Sequence, residues 1–451
     1  MNKRIILIGM MILSMIFHTG LGGKVDNTPK NENVNYEENA KIFVDNLLNQ
    51  KYDECFNAFS EDVKKSLTEQ GVKGAWEGTI KDSGAIVNIE KTEKQEKDSF
   101  QIITVYCAFE KNGVTVSITY DKAGKVTGLW FNYYTLITAN QTVPQGIEEI
   151  NVIVGKGTQW ELSGKIAREK GKQSDTAVLL VHGSGPSDMD ETISSNKPFR
   201  DIAWGLADQG IDVLRYDKRT YAYGAKLVSS DMSKFTVEEE TIQDAIAAAK
   251  LLQQQGYKNI YLAGHSLGGM LTPRIDKESN GIFSGLILLA GSPRKLTDIV
   301  LDQNEASIAT LTDENQKAIY EKTIEAEKEK AAEINIWSKE EVLKNTIFGM
   351  SAYYIKDLNN SDTASIAKEI KKPILVLQGE KDFQVYADKD FVLWKDVLKE
   401  NDKAEFVLYK GLNHLFMLSQ GENAGTVQEY SIASKVDPKV ITDIADFIKK
   451  Q

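Results

Sequence analysis

Ile260-Tyr261-Leu262-Ala263-Gly264-His265-Ser266-Leu267-Gly268-Gly269-Met270 is the stretch that decides the fold of this chain. Its four leading residues read as a buried strand, and from Met270 onward the sequence suits a helix. Between them stands a string of the form G-x-S-x-G. By composition alone, roughly one chain in seven of this length would carry such a string; the strand-turn-helix setting is what gives it meaning. A serine in so sharp a turn needs glycines at the flanking positions, because side chains there would meet neighbouring backbone. The turn lifts the hydroxyl above a sheet, with a helix N-terminus below to favour developing negative charge. Ser266 is therefore the candidate nucleophile.

Working outward, short apolar runs bounded by glycine or charge recur at Ala177 to Val181, Ile211 to Arg215, Asn259 to Ala263, Gly285 to Ala290, Pro373 to Gln378 and Glu405 to Tyr409. Runs of this kind predict parallel strands covered on both faces, and the segments between them read as helices. Thr236 followed by Glu239 predicts a capping box opening a helix through Ile242, Ala245, Ile246 and Ala249. A hairpin is expected at Gly155-Lys156-Gly157. From 292 to 371 the alternation stops and a stretch rich in Glu, Lys and Ala predicts an inserted helical cap.

A serine hydroxyl attacks poorly without a base beside it. The chain has four histidines. His18 lies in the apolar N-terminal segment, His265 adjoins the serine and cannot swing back to it, and His182 ends a strand in a loop with another task. His414, in Gly411-Leu412-Asn413-His414 after the last strand, remains. A histidine base needs a carboxylate on its other nitrogen. Asp382, in Gly379-Glu380-Lys381-Asp382, is the choice, with Glu380, Asp388 and Asp390 as nearby alternatives. The oxyanion of an acyl intermediate needs two backbone donors. Leu267 supplies one, and Ser184 in His182-Gly183-Ser184-Gly185-Pro186 the other. That loop is not a dinucleotide fingerprint, because Pro186 follows it at once and no third glycine completes G-x-G-x-x-G. No spacing of His, Cys or Glu suggests a metal, so neither a metal nor a cofactor is expected.

The whole chain sets wider limits. Its 451 residues call for more than one domain. A net charge of −11 argues against a nucleic-acid partner. Lys3 and Arg4, an apolar run from Ile5 to Phe17, and small residues near Gly20 to Gly23 predict a signal peptide over 1–23 and a secreted or cell-surface protein, with an uncleaved N-terminal anchor as the alternative. No other segment predicts membrane insertion. A polar leader follows over 24–35. Residues 36–140 read as a small α+β domain: Tyr36, Ala40, Phe43, Val44, Leu47 and Leu48 on one helical face, a helix capped by Ser60, then β-runs Phe100 to Glu110, Val114 to Tyr120 and Lys125 to Asn132. Cys55 and Cys107 are expected as buried free thiols, with a disulfide between them as the alternative in an exported protein, and no chemistry-bearing cluster stands out in this region; its partner is unknown.

The motifs around Ser184, Arg215-Tyr216-Asp217-Lys218-Arg219, Ser266, Asp382 and His414 together resemble exported bacterial α/β-hydrolases of the carboxylesterase and serine aminopeptidase kind, from about Glu148 to the C-terminus. Residues 36–140, with Phe59-Ser60 and Trp76, are similar to a nuclear-transport-factor-like domain of unknown function. The resemblance implies an α/β-hydrolase fold over 145–451, with a mostly parallel central sheet and a cap over 292–371, and the chain order Ser, Asp, His. It implies cleavage of a small-molecule acyl ester through an acyl-enzyme, with a peptidase using the same residues, or a ligand-binding protein on a hydrolase scaffold, as alternatives. By the same analogy Asp217 is a charge partner beneath the site, and Trp337, Phe348, Met350, Tyr353 and Tyr354 of the cap line the acyl pocket. Asp188 and Asp190 read as a solvated loop that could reach substrate.

Overall fold

The structure, a computed structural model, describes residues 35–451 except 66, 82, 98, 99, 111, 135–141, 229–231, 312, 313 and 422. The expected signal peptide and nearly all of the leader lie outside the described residues.

In the N-terminal region four strands form an antiparallel meander in the order β1 (Ile86–Lys97), β2 (Phe100–Phe109), β3 (Gly113–Tyr120) and β4 (Val126–Tyr134). Helices Tyr36–Leu48, Tyr52–Ala58, Glu61–Lys64 and Glu69–Ile80 supply Phe43, Leu47, Trp76 and their neighbours to a core against this sheet, joined by Phe59 just past the second helix. Three features depart from the sequence reading. The helix capped by Ser60 ends after one turn, at Lys64. Helix Glu69–Ile80 and strand β1 were not anticipated. β1 escapes notice because Glu90 to Lys97 is almost wholly polar, as suits an edge strand that must discourage further pairing. Cys55 and Cys107 are free and buried, and burial pushes both thiols up to about 12.

The second region is built on eight strands: β5 (Ile147–Val154), β6 (Leu162–Glu169), β7 (Thr176–Val181), β8 (Asp212–Tyr216), β9 (Asn259–His265), β10 (Gly285–Leu289), then, beyond the cap hairpin β11 (Thr346–Ile347) and β12 (Met350–Ser351), β13 (Ile374–Gly379) and β14 (Ala404–Tyr409). Their order is β14-β13-β10-β9-β7-β8-β6-β5. From β14 to β8 every pairing is parallel, and the β5–β6 hairpin closes one edge antiparallel. Period-two alternation along β7 explains why: Ala177, Leu179 and Val181 enter the core beneath helices Gln243–Gln254 and Leu267–Glu278, while Val178 and Leu180 meet Phe199, Ile202 and Phe447 of helices Pro198–Ala207 and Pro438–Lys449. A strand apolar on both faces can sit only inside a sheet covered on both sides. This is the α/β-hydrolase fold, with a smaller antiparallel domain ahead of it.

Helices Leu296–Ala309, Glu314–Glu333, Lys339–Lys344, Ala352–Asn360 and Thr363–Lys368, with the β11–β12 hairpin, form the cap between β10 and β13. Its own small core gathers Val300, Ile334, Ile347, Phe348 and Ile355. Thr236 and Glu239 do bond to each other, but a π-turn, Glu238–Ile242, precedes the α-helix Gln243–Gln254. Among the described residues no helix is long and apolar enough to cross a membrane.

Candidate active site

Strand order reverses at β7, with β8 on one side and β9 on the other, so the loops leaving β7, β9, β13 and β14 converge at the carboxyl edge of the sheet. Ser266 tops β9 at φ +53° and ψ −116°, a strained setting for a residue with a side chain, and opens helix Leu267–Glu278. The flanking glycines have no alternative. A Cβ on Gly264 would stand 2.2 Å from the Gly268 carbonyl oxygen, and one on Gly268 2.3 Å from that of Val181. Strand, turn and helix can meet this closely only without side chains at those points.

His414, in the loop after β14, is buried with Nδ1 at 2.8 Å from Asp382 Oδ2. Asp382, after β13, accepts the Gln384 and Val385 amides on Oδ1, at 2.8 and 2.9 Å, and Gln378 Nε2 at 2.8 Å on Oδ2. With its acceptor sites filled, this carboxylate holds the imidazole in one orientation. The alternative acids are engaged elsewhere. Asp390 is gripped by Arg294 at 2.7 and 2.9 Å, and Glu380 accepts the Gly411 amide. Asp388 is exposed to solvent.

His265 does not turn toward the serine hydroxyl. Its Nδ1 lies 3.0 Å from Glu191 Oε2 and its Nε2 3.0 Å from the carbonyl oxygen of His414. Glu191, held at φ +51°, takes the Gly183 amide on Oε1 at 2.9 Å. Burial opposes charge on each partner, yet their mutual attraction lowers the Glu191 carboxyl and raises the His265 imidazole, favouring the charged form of each. One buried pair thus ties together the loop after β7, the turn bearing Ser266 and the loop bearing His414. His182 stays neutral: burial pushes it down to about 4, and Nε2 meets the Asp188 carbonyl.

The loop between Ser187 and Lys197 is no solvated excursion. Asp188 binds Thr192 through both carboxylate oxygens, and Asp190 pairs with Arg215 and Lys197. The expectation that these two aspartates reach toward solvent or substrate is therefore corrected: they fold the loop onto itself and onto β8. Asp217 accepts the Met189 amide at 2.8 Å and so pins the same loop.

Ser184, Ser266, Leu267 and His414 all line one cleft of about 950 Å³. Apolar cap residues Leu296, Ile299, Val300, Met350 and Tyr354 form one wall, and Phe131, Asn132 and Tyr133 of β4 stand on another. Of the five cap residues expected at the pocket, Met350 and Tyr354 line it. Trp337 and Phe348 turn into the cap's own core, and Tyr353 is not on the cleft wall. Sequence reasoning passed over Glu191, because a carboxylate in a polar loop carries no sign that it will be buried, and passed over β4, because a wall made by another domain leaves no local motif. Among the described residues no group of three or more His, Cys, Asp or Glu is placed to hold a metal ion.

Residues 172–420 match the family model described as serine aminopeptidase, S33, and residues 40–129 match a family of unknown function, DUF3887. The chain is similar to esterase EstD of Thermotoga maritima, with 34% identity over 423 residues, covering 92% of this chain and 96% of that protein. Among solved structures, a Pyrococcus furiosus esterase shares 16% identity at a TM-score of 0.43, covering 71% of this chain and 97% of the other. A puromycin-hydrolyzing peptidase of Mycobacterium tuberculosis shares 14% at 0.41, covering 81% and 48%. At such scores the fold rests on the sheet order above, and the family on the match to the S33 model and the 34% likeness to EstD. The chain belongs to the serine aminopeptidase S33 family of α/β-hydrolases.

Proposed function

We propose that this chain is a serine carboxylesterase in which Ser266, His414 and Asp382 act as nucleophile, base and acid. The observation that carries the reading is Ser266 on its strained turn in the same cleft as an imidazole whose Nδ1 is tied to a saturated carboxylate. With Nδ1–H donated to Asp382, His414 Nε2 is left to take a proton. Ser266 Oγ adds to the ester carbonyl carbon and its proton passes to Nε2. The oxyanion meets the Leu267 amide at the helix start and the Ser184 amide. Gly183 cannot serve as donor, since its own N–H is already given to Glu191. Collapse expels the alcohol with the proton from His414. Water, deprotonated by the same nitrogen, then releases the acid and frees Ser266.

The lining of the cleft favours an ester over a peptide N-terminus. An aminopeptidase needs an acidic group for the substrate ammonium, and the carboxylates on this wall among the described residues, Glu191 and Glu240, are paired with His265 and Lys218. The apolar cap wall suits an uncharged acyl chain, and β4 of the N-terminal domain lines part of the same cleft. We also hold the chain to be exported, on the strength of Lys3 to Gly23; N-terminal sequencing of the protein recovered from its cells checks this.

The test of function is hydrolysis of p-nitrophenyl esters from acetate to laurate beside aminoacyl p-nitroanilides. Turnover of esters with inert anilides is expected. Cleavage of anilides alone would make the chain a peptidase, and binding without turnover of either series would make it a ligand-binding protein.

A further inference from the structure

The Arg215-Tyr216-Asp217-Lys218-Arg219 segment after β8 contains a charge that the mechanism above does not use. Lys218 is 2% exposed. Its Nζ donates to the Gly183 carbonyl oxygen at 2.7 Å and lies 2.6 Å from Glu240 Oε1. Glu240, itself 1% exposed in the π-turn, accepts the hydroxyl of Tyr354 on Oε2 at 2.6 Å, so the arrangement reaches from the sheet to the cap. A buried ion pair of this kind contributes little net stability; an apolar pair of similar volume is commonly as good or better. Its position is more informative than its energy. The Gly183 carbonyl and the Ser184 N–H are the two ends of one peptide unit, and no peptide in the described chain is cis. In a planar trans unit the two bonds point in opposite directions, so a grip on the oxygen also fixes the direction of the N–H.

We propose that Lys218 is the positioning residue of the oxyanion hole, aiming the Ser184 N–H and polarising it through the carbonyl it grips. The inference rests on the serine-esterase reading of the site. A cation on the carbonyl oxygen draws electron density through the amide and makes its N–H a better donor, and burial leaves that charge poorly screened. Glu191 holds the preceding peptide by the Gly183 N–H at 2.9 Å, so Gly183 is fixed at both its polar atoms. A Cβ on Gly183 would stand 3.0 Å from the Ser266 Cβ, closer than side chains ordinarily approach, so glycine suits the position between these grips. Glu240 keeps Lys218 from being an unpaired buried charge, and Tyr354 makes the setting sensitive to the seating of the cap.

The experiment compares wild-type protein, Lys218→Met and the double variant Lys218→Met/Glu240→Gln, which removes both buried charges and leaves none orphaned. Each is measured for kcat and KM on p-nitrophenyl butyrate, for inhibition by an alkyl trifluoromethyl ketone, whose hemiketal carries the oxyanion, and for its melting curve. Both variants are expected to lose kcat by on the order of 10²-fold. KM should stay within about twofold, while inhibitor affinity falls in step with kcat. A double variant that melts cooperatively and keeps its kcat, or loses kcat with inhibitor affinity unchanged, overturns the role. Ser266→Ala run alongside separates the two claims. Turnover surviving there sinks the esterase reading and the role of Lys218 with it; turnover lost there but kept in the double variant sinks only the latter.

Discussion

The two domains treat charge in opposite ways. In the N-terminal domain ion pairs such as Lys65–Asp62 and Lys91–Glu93 are exposed, and the interior is an apolar cluster around Trp76 and Phe59. In the larger domain charges are taken inside: Lys218–Glu240, Arg219–Asp244, His265–Glu191 and Arg294–Asp390 all have at least one partner almost without exposure. Desolvating such pairs costs about as much as their attraction returns, so burial on this scale is not needed for folding, as the smaller domain demonstrates. Two of these pairs, Lys218–Glu240 and His265–Glu191, hold the loop after β7, and His265 also bonds the loop bearing His414. They fix loops that backbone hydrogen bonds alone leave adjustable, and they leave the walls of the cleft, made by the cap and β4, to set its shape.

The contrast can be broken at several levels. The largest effect is expected from Asp382→Asn, which keeps the shape of the acid but donates to His414 where it should accept. Ester kcat should fall by about 10³–10⁴-fold with the melting temperature little changed, and a fall of less than tenfold would remove Asp382 from the account. Next comes Arg294→Met. It strands the fully buried Asp390 carboxylate, and breaking a buried pair this way costs about 3–5 kcal/mol in unfolding free energy. Lys65→Met, at an exposed pair, should leave denaturant curves of the same protein unmoved, and equal effects of the two would erase the distinction between the domains.

Asn132→Trp tests the cleft wall instead. Asn132 is exposed on β4, so the substitution should fold normally and narrow the cleft. Laurate turnover relative to acetate is expected to drop on the order of tenfold; an unchanged ratio would mean the N-terminal domain does not touch the substrate.

The smallest effect concerns pH. Glu191 is lowered from its ordinary 4.5 and His265 raised from its ordinary 6.5. The stability Glu191 contributes is fully present above pH 4.5 and disappears as pH falls through its lowered value. That of His265 is fully present below pH 6.5 and disappears as pH rises through its raised value. The melting-temperature advantage of wild type over Glu191→Gln/His265→Gln should therefore be widest between those two values and shrink on either side. An advantage flat from pH 4 to 9 would show that the pair is not ionic.

What the sequence disclosed divides along the same line. The parallel strands were legible because a strand buried on both faces must be an uninterrupted apolar run, as in Ala177 to Val181. The turn at Ser266 was legible because it demands Gly264 and Gly268, and His414 stood out as a candidate because few histidines compete with it. Burial of a charge leaves no local trace: Glu191 and Glu240 stand in segments as polar as any surface loop, and only the fold reveals that Gly183 and Lys218 wait for them. Strand β1 hid for the converse reason, since an edge strand of alternating charge has the composition of a linker. For the cap, periodicity could not say which aromatic rings face the cleft, because Phe348 and Tyr354, six residues apart, both pack in the cap's core and only Tyr354 also lines the cleft.

The most direct test of the central claim is covalent capture of the nucleophile. The protein is incubated with an alkyl fluorophosphonate, digested, and its peptides sequenced by mass spectrometry while ester turnover is followed. A single adduct on the peptide bearing Ser266, accumulating as turnover is lost and absent from Ser266→Ala, is the predicted result. An adduct on another serine, or a Ser266→Ala protein that hydrolyses esters at the wild-type rate, would contradict it.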